Sequence, residues 1–344
     1  MRDLFTGRCN LKKRIFIFIA TSLLSSCYVT QQGWYQAQLL MAAEPISTVL
    51  QRPQLALQTK QKLEFIGVVL EAAHQEGLSV GQAYRGYVDT GQPVASWLVF
   101  AAHPDRLQSV TWWFPIVGSV PYVGYFDEKD RDRFASELIA DGFDVYKSSA
   151  SAFSSLGWID EPIFSSMLER RRWALAQLLF HELTHRTLWV PGGVRFNESL
   201  ASYVAKHLTE KWLIKWQMHD ELQDYGLHQE DRRRYKMWAR DFRETLHSLY
   251  ETQKVFDAQK KAKVFQKWIS DKKPKFKKYD FVGVKSWNNA RLQAVSLYES
   301  YDAEFLKAHR CFGLERPLSD FLNKISDAYT LSSDAQKALA SVCD

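Results

Sequence analysis

Apolar positions recur at helical spacing over residues 34–80, through Leu39, Leu40, Val49, Leu50, Leu55, Leu57, Leu63, Ile66, Val69 and Leu70. From 94 to 158 the pattern changes. Residues 94–101 (VASWLVFA) and 110–117 (VTWWFPIV) are rich in β-branched and aromatic side chains, and 120–126 and 143–147 continue in that style between Gly and Pro. A helix over 130–140 separates the last two. These segments predict one small sheet, mixed or antiparallel. After Ser165 the period returns to helical almost to the end. Helices, then sheet, then helices predicts an α+β fold with a helix-rich C-terminal part, not a doubly wound α/β one. No linker or repeat interrupts the chain after its first residues, so 27–344 reads as a single domain.

Residues 1–26 read as an address. Lys12, Lys13 and Arg14 precede an apolar run, 15–24, too short to span a bilayer, which takes roughly 20 residues. Leu24-Ser25-Ser26-Cys27 follows and resembles the bacterial lipobox. That resemblance implies a lipoprotein signal peptide, an acylated Cys27 at the mature N-terminus, and a membrane partner reached through the lipid. Tyr28 rather than Asp in second place resembles lipoproteins forwarded to the outer membrane. An ordinary signal with a chance cysteine is the alternative. With Cys9 and Cys27 assigned to the leader and the anchor, Cys311 and Cys343 remain, either as a disulfide or as two buried thiols.

Removing the leader changes the charge. It carries Arg2, Arg8, Lys12, Lys13, Arg14 and Asp3, so the formal net charge falls from +6 to +2. A strongly basic nucleic-acid binder is not indicated, and neither a Walker A pattern nor GxGxxG points to a nucleotide. The local exception is 254–278, with ten Lys against Asp257 and Asp271. It reads as a solvated helix and loop with Val264, Phe265, Trp268 and Ile269 on a buried face. The other reading is a patch facing anionic lipid or polysaccharide.

The chemistry concentrates at 181–198. Residues 173–188 (WALAQLLFHELTHRTL) carry a helical apolar stripe and, inside it, His181-Glu182-Leu183-Thr184-His185. Residues four apart share a helix face, so both imidazoles can reach one Zn²⁺. Glu182 is turned away by about 100° and can reach a water there as general base. A third ligand is expected beyond Pro191-Gly192-Gly193, where a second helix opens with Asn197-Glu198-Ser199. Glu198 completes a His₂Glu set with an open fourth position. His207, Asp220 and Glu221 are the fallback ligands.

The stretch HELTHRTLWVPGGVRFNESLASYV resembles the core of a family of bacterial lipoproteins described as predicted aminopeptidases. The likeness extends to 113–118, 121–126, 155–158 and 288–292. It implies a gluzincin-like zinc peptidase of zincin-like fold, with His181, His185 and Glu198 as ligands and Glu182 as base. Peptide or protein substrates and a periplasm-facing place in the cell envelope follow from the same resemblance. The aminopeptidase signature GxMEN is absent, so exo- and endopeptidase action both stay open.

Two positions remain. Residues 150–159 (ASAFSSLGWI) are the candidate edge strand for a substrate backbone, or else a packed loop. Tyr298 is the candidate hydrogen-bond donor to an oxyanion, or plain packing. The rival to an enzyme is an envelope scaffold or chaperone whose metal serves folding only.

Overall fold

The computed structural model describes residues 28, 30–114, 118–150, 152, 159–252, 258–283, 286–296, 301–332 and 334–343. The chain separates into two units, Met1–Ala43 and Glu44–Asp344. In the first, residues 30–41 form helix α1. The rest of the account concerns the second, which is mixed α and β and rich in helix.

Its elements run β1 (Glu44–Pro45), α2 (Ile46–Val49), α3 (Leu57–Gln75), β2 (Gly86–Val88), β3 (Ser96–Ala102), β4 (Trp112–Phe114), β5 (Gly118–Val120), β6 (Tyr122–Tyr125), α4 (Glu128–Ala140), β7 (Asp144–Ala150) and β8 (Ile163–Phe164). After a 3-10 turn (Ser165–Glu169) come α5 (Arg172–Thr187), α6 (Val194–Lys215), α7 (His219–Thr252), α8 (Ala258–Lys272), α9 (Asn289–Ser296), α10 (Asp302–Phe312), α11 (Leu318–Ser332) and α12 (Ala335–Ala340). Among the described residues no helix is long and apolar enough to cross a membrane.

The single sheet expected between 94 and 158 is instead two small ones, ordered β6-β3-β7 and β4-β5, and a third, β1-β2-β8, forms from strands outside that stretch. Pro121 explains one division. It has no N–H to give a ladder, and the run 120–126 splits there into β5, paired with β4, and β6, paired with β3. The central sheet is antiparallel, with Phe100 opposite both Tyr122 and Tyr146. Alternation puts Phe100, Ala102 and Tyr146 on one face, where Ala290 and Ala294 of α9 cover them. The other face meets α4, whose Phe134 packs on Trp112 and Tyr125. Helix α4 starts where Asp127 accepts from the backbone N–H of Lys129 and Asp130, an N-cap.

The C-terminal helices hold a second core around Trp238, Phe242, Phe265, Trp287 and Leu292. The lysine tract is mostly the solvated helix and loop expected, with its other described lysines exposed and Val264, Phe265, Trp268 and Ile269 turned to this core; Lys261 is the exception. Lys261 is buried and bonds both carboxylate oxygens of Asp144 at 2.7 and 2.8 Å. Lys277 pairs with Glu230 and Lys278 with Asp224. Cys311 at the end of α10 and Cys343 after α12 form a disulfide with Cα atoms 5.1 Å apart.

Candidate metal centre and active-site cleft

Helix α5 buries Trp173, Leu175, Ala176, Leu179, Phe180 and Leu183, the apolar stripe that makes it a central wall. Its first turn has no side-chain cap of its own. A carboxylate oxygen of Glu221 on α7 accepts from the Trp173 N–H at 3.2 Å and satisfies one of the orphan donors there. The stripe fixes the rotation of the helix, so His181, Glu182 and His185 come round together in its last two turns.

The chain then reverses at Pro191-Gly192-Gly193, with Gly192 at φ +76°, a conformation that favours glycine. Asn197 on the first turn of α6 closes the reversal. Its Oδ1 accepts from Val190 N–H at 2.9 Å and its Nδ2 donates to Val190 C=O at 2.7 Å. This two-bond clasp sets where the next residue, Glu198, points. Glu198 Oε2 lies 3.4 Å from His181 Nε2 and Oε1 lies 3.7 Å from His185 Nε2. The two Nε2 atoms are 3.1 Å apart.

These separations test the fit of a metal. Donors about 2.0–2.1 Å from one ion at tetrahedral angles lie roughly 3.3–3.4 Å from each other. The closest approaches of the three side chains, with a different Glu198 oxygen at each imidazole, bracket that value, and two imidazoles with one carboxylate are a donor set suited to zinc. Among the described residues His181, His185 and Glu198 are the group able to hold an ion. His207 packs instead with Tyr203 and His309, Glu221 caps α5, and Asp220 sits in the first turn of α7.

Of the three donors, the protein alone presets His185 and Glu198 for a metal, while His181 holds its proton more tightly than usual. Burial pushes His185 down to about 4, so it is neutral and free to ligate. Burial also opposes protonation of His181, but its hydrogen bond to Glu198 and the charges of Glu198 and Glu182 outweigh that and raise its pKa. Burial favours the neutral acid at Glu198 too. The two histidines reverse this and keep it an anion. Glu182 is different: burial, aided by Glu198 and Glu161, lifts it to about 7 against the pull of His181 and Arg170. Among the described residues no donor hydrogen-bonds its carboxylate.

Glu182 and His181 open into a cleft of about 680 Å³. One wall is α5, through Ala174, Gln177, Leu178, His181 and Glu182. Helix α6 adds Ser202, Ala205 and Lys206, and α7 adds His228, Arg232, Tyr235 and Lys236. Strand β7 contributes Tyr146, Ser148, Ser149 and Ala150. It is an edge of its sheet. Ala150 C=O accepts from Ala95 on the β3 side, so by alternation the polar groups of 145, 147 and 149 face outward. Asn288 Nδ2 bonds Val145 C=O at 2.8 Å on that outer side.

Strand β7, 144–150, is thus an edge strand that ends where the stretch 150–159 expected from sequence begins. Of that stretch, 151 and 153–158 lie outside the described residues, as do Cys27 and Tyr298. Asn197 had a signal, an amide next to the ligand glutamate, but its clasp is visible only in the fold. Tyr84 had none: it is buried at φ +61°, a strained conformation for a bulky residue, and feels the charge of Glu182.

In a mixed α+β unit, α5 and α6 thus bring together two histidines and a carboxylate that could hold a metal ion, with Glu182 of α5 beside them. The chain belongs to the family described as "Putative aminopeptidase", which matches residues 27–339. That membership supports a peptidase acting on peptide substrates. No curated protein and no solved structure matches the chain.

Proposed function

We propose that this protein is a zinc-dependent peptidase. The observation that carries the reading is the convergence of His181, His185 and Glu198, the imidazole nitrogens 3.1 Å apart and one Glu198 oxygen at 3.4 Å from His181 and the other at 3.7 Å from His185, with Glu182 beside them on the cleft side. A zinc ion held there supplies Lewis-acid polarisation and lowers the pKa of a water. The chain does the rest. Glu182, lifted to about 7, holds a carboxylate of the right basicity to take a proton from water and return it to the leaving amine. The outward polar groups of Lys147 and Ser149 on β7 align an extended substrate backbone by strand addition. His185, neutral by burial, and Glu198, anionic by its histidine neighbours, need no proton rearrangement to ligate.

A structural zinc site closes with a fourth protein ligand. The described group has three members, which favours catalysis over a scaffold's folding metal. The HExxH helix leading into a returning glutamate supports a zincin-like, gluzincin-type arrangement. The leader and Cys27 support lipid anchoring in a bacterial envelope, facing the periplasm and sorted to the outer membrane. Replacing Cys27 by Ser and following palmitate labelling tests that part by itself.

The test of the activity is a peptide-library digest by purified protein with chelator, then with zinc restored. Cleavage that stops with chelator and returns with zinc is expected, and the cut positions decide between exo and endo action. Cleavage indifferent to chelator, or none from protein carrying about one zinc per chain, would sink the reading.

A further inference from the structure

The charged side chains lining the cleft are unequal in sign. Arg170, Lys206, Arg232 and Lys236 are cationic, whereas Glu182 is the one carboxylate among the lining residues. Three of the four cations come from two facing helices. His228, Arg232 and Lys236 stand one turn apart on α7, on the face turned to the cleft, and Lys206 meets them from α6. Lys206 and Lys236 both reach Asp302, the latter at 3.6 Å.

Arg232 is half-buried and has no carboxylate partner among the described residues. The acids near it in sequence are committed elsewhere. Asp231 accepts from the backbone amides of Lys277, Lys278 and Tyr279. Glu230 pairs with Arg234 and Lys277, and Asp224 holds Trp173, Tyr279 and Lys278. A guanidinium left uncompensated in a concave, partly dry site costs stability in the free protein. It also focuses a positive potential there. Its planar fork matches a carboxylate through two parallel N–H···O bonds. A substrate ammonium group would meet the same field as repulsion, with Glu182 the one anion among the described lining residues to offset it.

We propose that Arg232, supported by Lys206 and Lys236, forms a carboxylate-accepting subsite of the cleft, so that the preferred substrates are peptides carrying a carboxylate near the scissile bond. That carboxylate is either the peptide's C-terminus or an Asp or Glu side chain. The inference rests on the cleft being a peptidase active site, and deepens that reading by naming the substrate class.

The experiment uses three N-acetylated hexapeptides of one backbone sequence: a free C-terminal acid, its C-terminal amide, and the amide with one Gln changed to Glu. With zinc-loaded full-length protein, kcat/KM for the acid or for the Glu-containing amide is expected to exceed that of the plain amide by about ten- to hundredfold, the worth of a charge-assisted hydrogen-bond pair. Which of the two gains identifies the source of the carboxylate. Arg232→Gln should collapse that ratio toward one whatever its absolute rate, and Arg232→Lys should restore part of it. Equal kcat/KM for all three peptides, or a ratio that survives in Arg232→Gln with normal zinc content, overturns the subsite. A second arm needs no turnover. Glu182→Gln, with Arg232 intact, is titrated by calorimetry with the same peptides. If no peptide is cleaved, binding decides the subsite: carboxylate-dependent binding carries it and equal binding of all three removes it, while the peptidase reading is decided separately by the chelator-controlled library digest, which includes free N-termini.

Discussion

Glu182 on α5 and Asp224 on α7 are both carboxylates set among the helices of the cleft, and their acidities move in opposite directions. Burial favours the neutral form of each. At Glu182 it prevails, and the group rises to about 7. At Asp224 it is overcome by donors, and the group falls to about 2. Trp173 Nε1 donates to Asp224 at 2.8 Å and Tyr279 Oη at 2.7 Å, while Lys278 and Arg171 bring charge. Glu182 has no such donors among the described residues. Burial alone therefore does not decide what a carboxylate becomes. A saturated one is a fastening, and one left short of donors keeps the basicity that proton transfer needs.

The largest expected effect tests the reactive side. Glu182→Gln keeps the shape and loses the base, so peptidase rate should fall by about 10²–10⁴-fold while zinc content and melting temperature stay near the parent's. A rate within a few-fold of the parent at full zinc would break the contrast. Next comes Asn197→Ala, which opens the clasp on Val190 and frees the direction of Glu198. Zinc affinity should drop roughly 10–100-fold, as for other groups that orient a ligand, and competition with a chromophoric chelator measures it. Unchanged affinity would mean that the packing of α6 alone aims Glu198.

Asp224→Asn belongs to the other side. It should lower the denaturant midpoint, costing about 1–3 kcal/mol as charged donors lose their partner. Zinc content should be unaffected. A variant of normal stability with lost activity would move Asp224 into the reaction.

The smallest effect is on the pH dependence of stability, and here the two groups have opposite signs. The folded pKa of Asp224 is depressed, so its contribution is present above the ordinary carboxylate range and is lost as pH falls toward about 2. The folded pKa of Glu182 is raised, so in zinc-free protein stability falls as pH rises from the ordinary range through about 7. Melting curves of chelated protein should show that Asp224→Asn flattens the acid limb and Glu182→Gln flattens the fall near neutrality. The same limb vanishing in both variants would contradict the separation.

What was legible in the sequence was local. His181, Glu182 and His185 follow from the period of one helix, and Glu198 from one turn and the start of the next. Helix α4 and the stretches of β3 and β7 showed in their own side chains. Strands β2 and β8 did not, because two or three residues carry no period and are strands only through each other, Tyr87 against Ile163. The partnership of Asp224 with Lys278 spans 54 residues, and that of Lys261 with Asp144 spans 117. Neither leaves a trace along the chain, which is why Lys261, the buried member of an otherwise exposed tract, did not stand out from its neighbours. The cationic wall is equally non-local, since Lys206 and Arg232 share a cleft only once α6 and α7 are packed.

Asn288 also sets a limit on strand β7. A bare sheet edge invites any extended chain, including a copy of itself, to add another strand. By occupying the outward carbonyl of Val145, Asn288 limits the ladder available among the described residues to Lys147 and Ser149, about two residue pairs at roughly 3.4 Å per residue along each strand. That is enough to register a short segment of backbone and too little to zip a second sheet onto the first. Under the proposed function, the edge is a dock kept short by one side-chain amide.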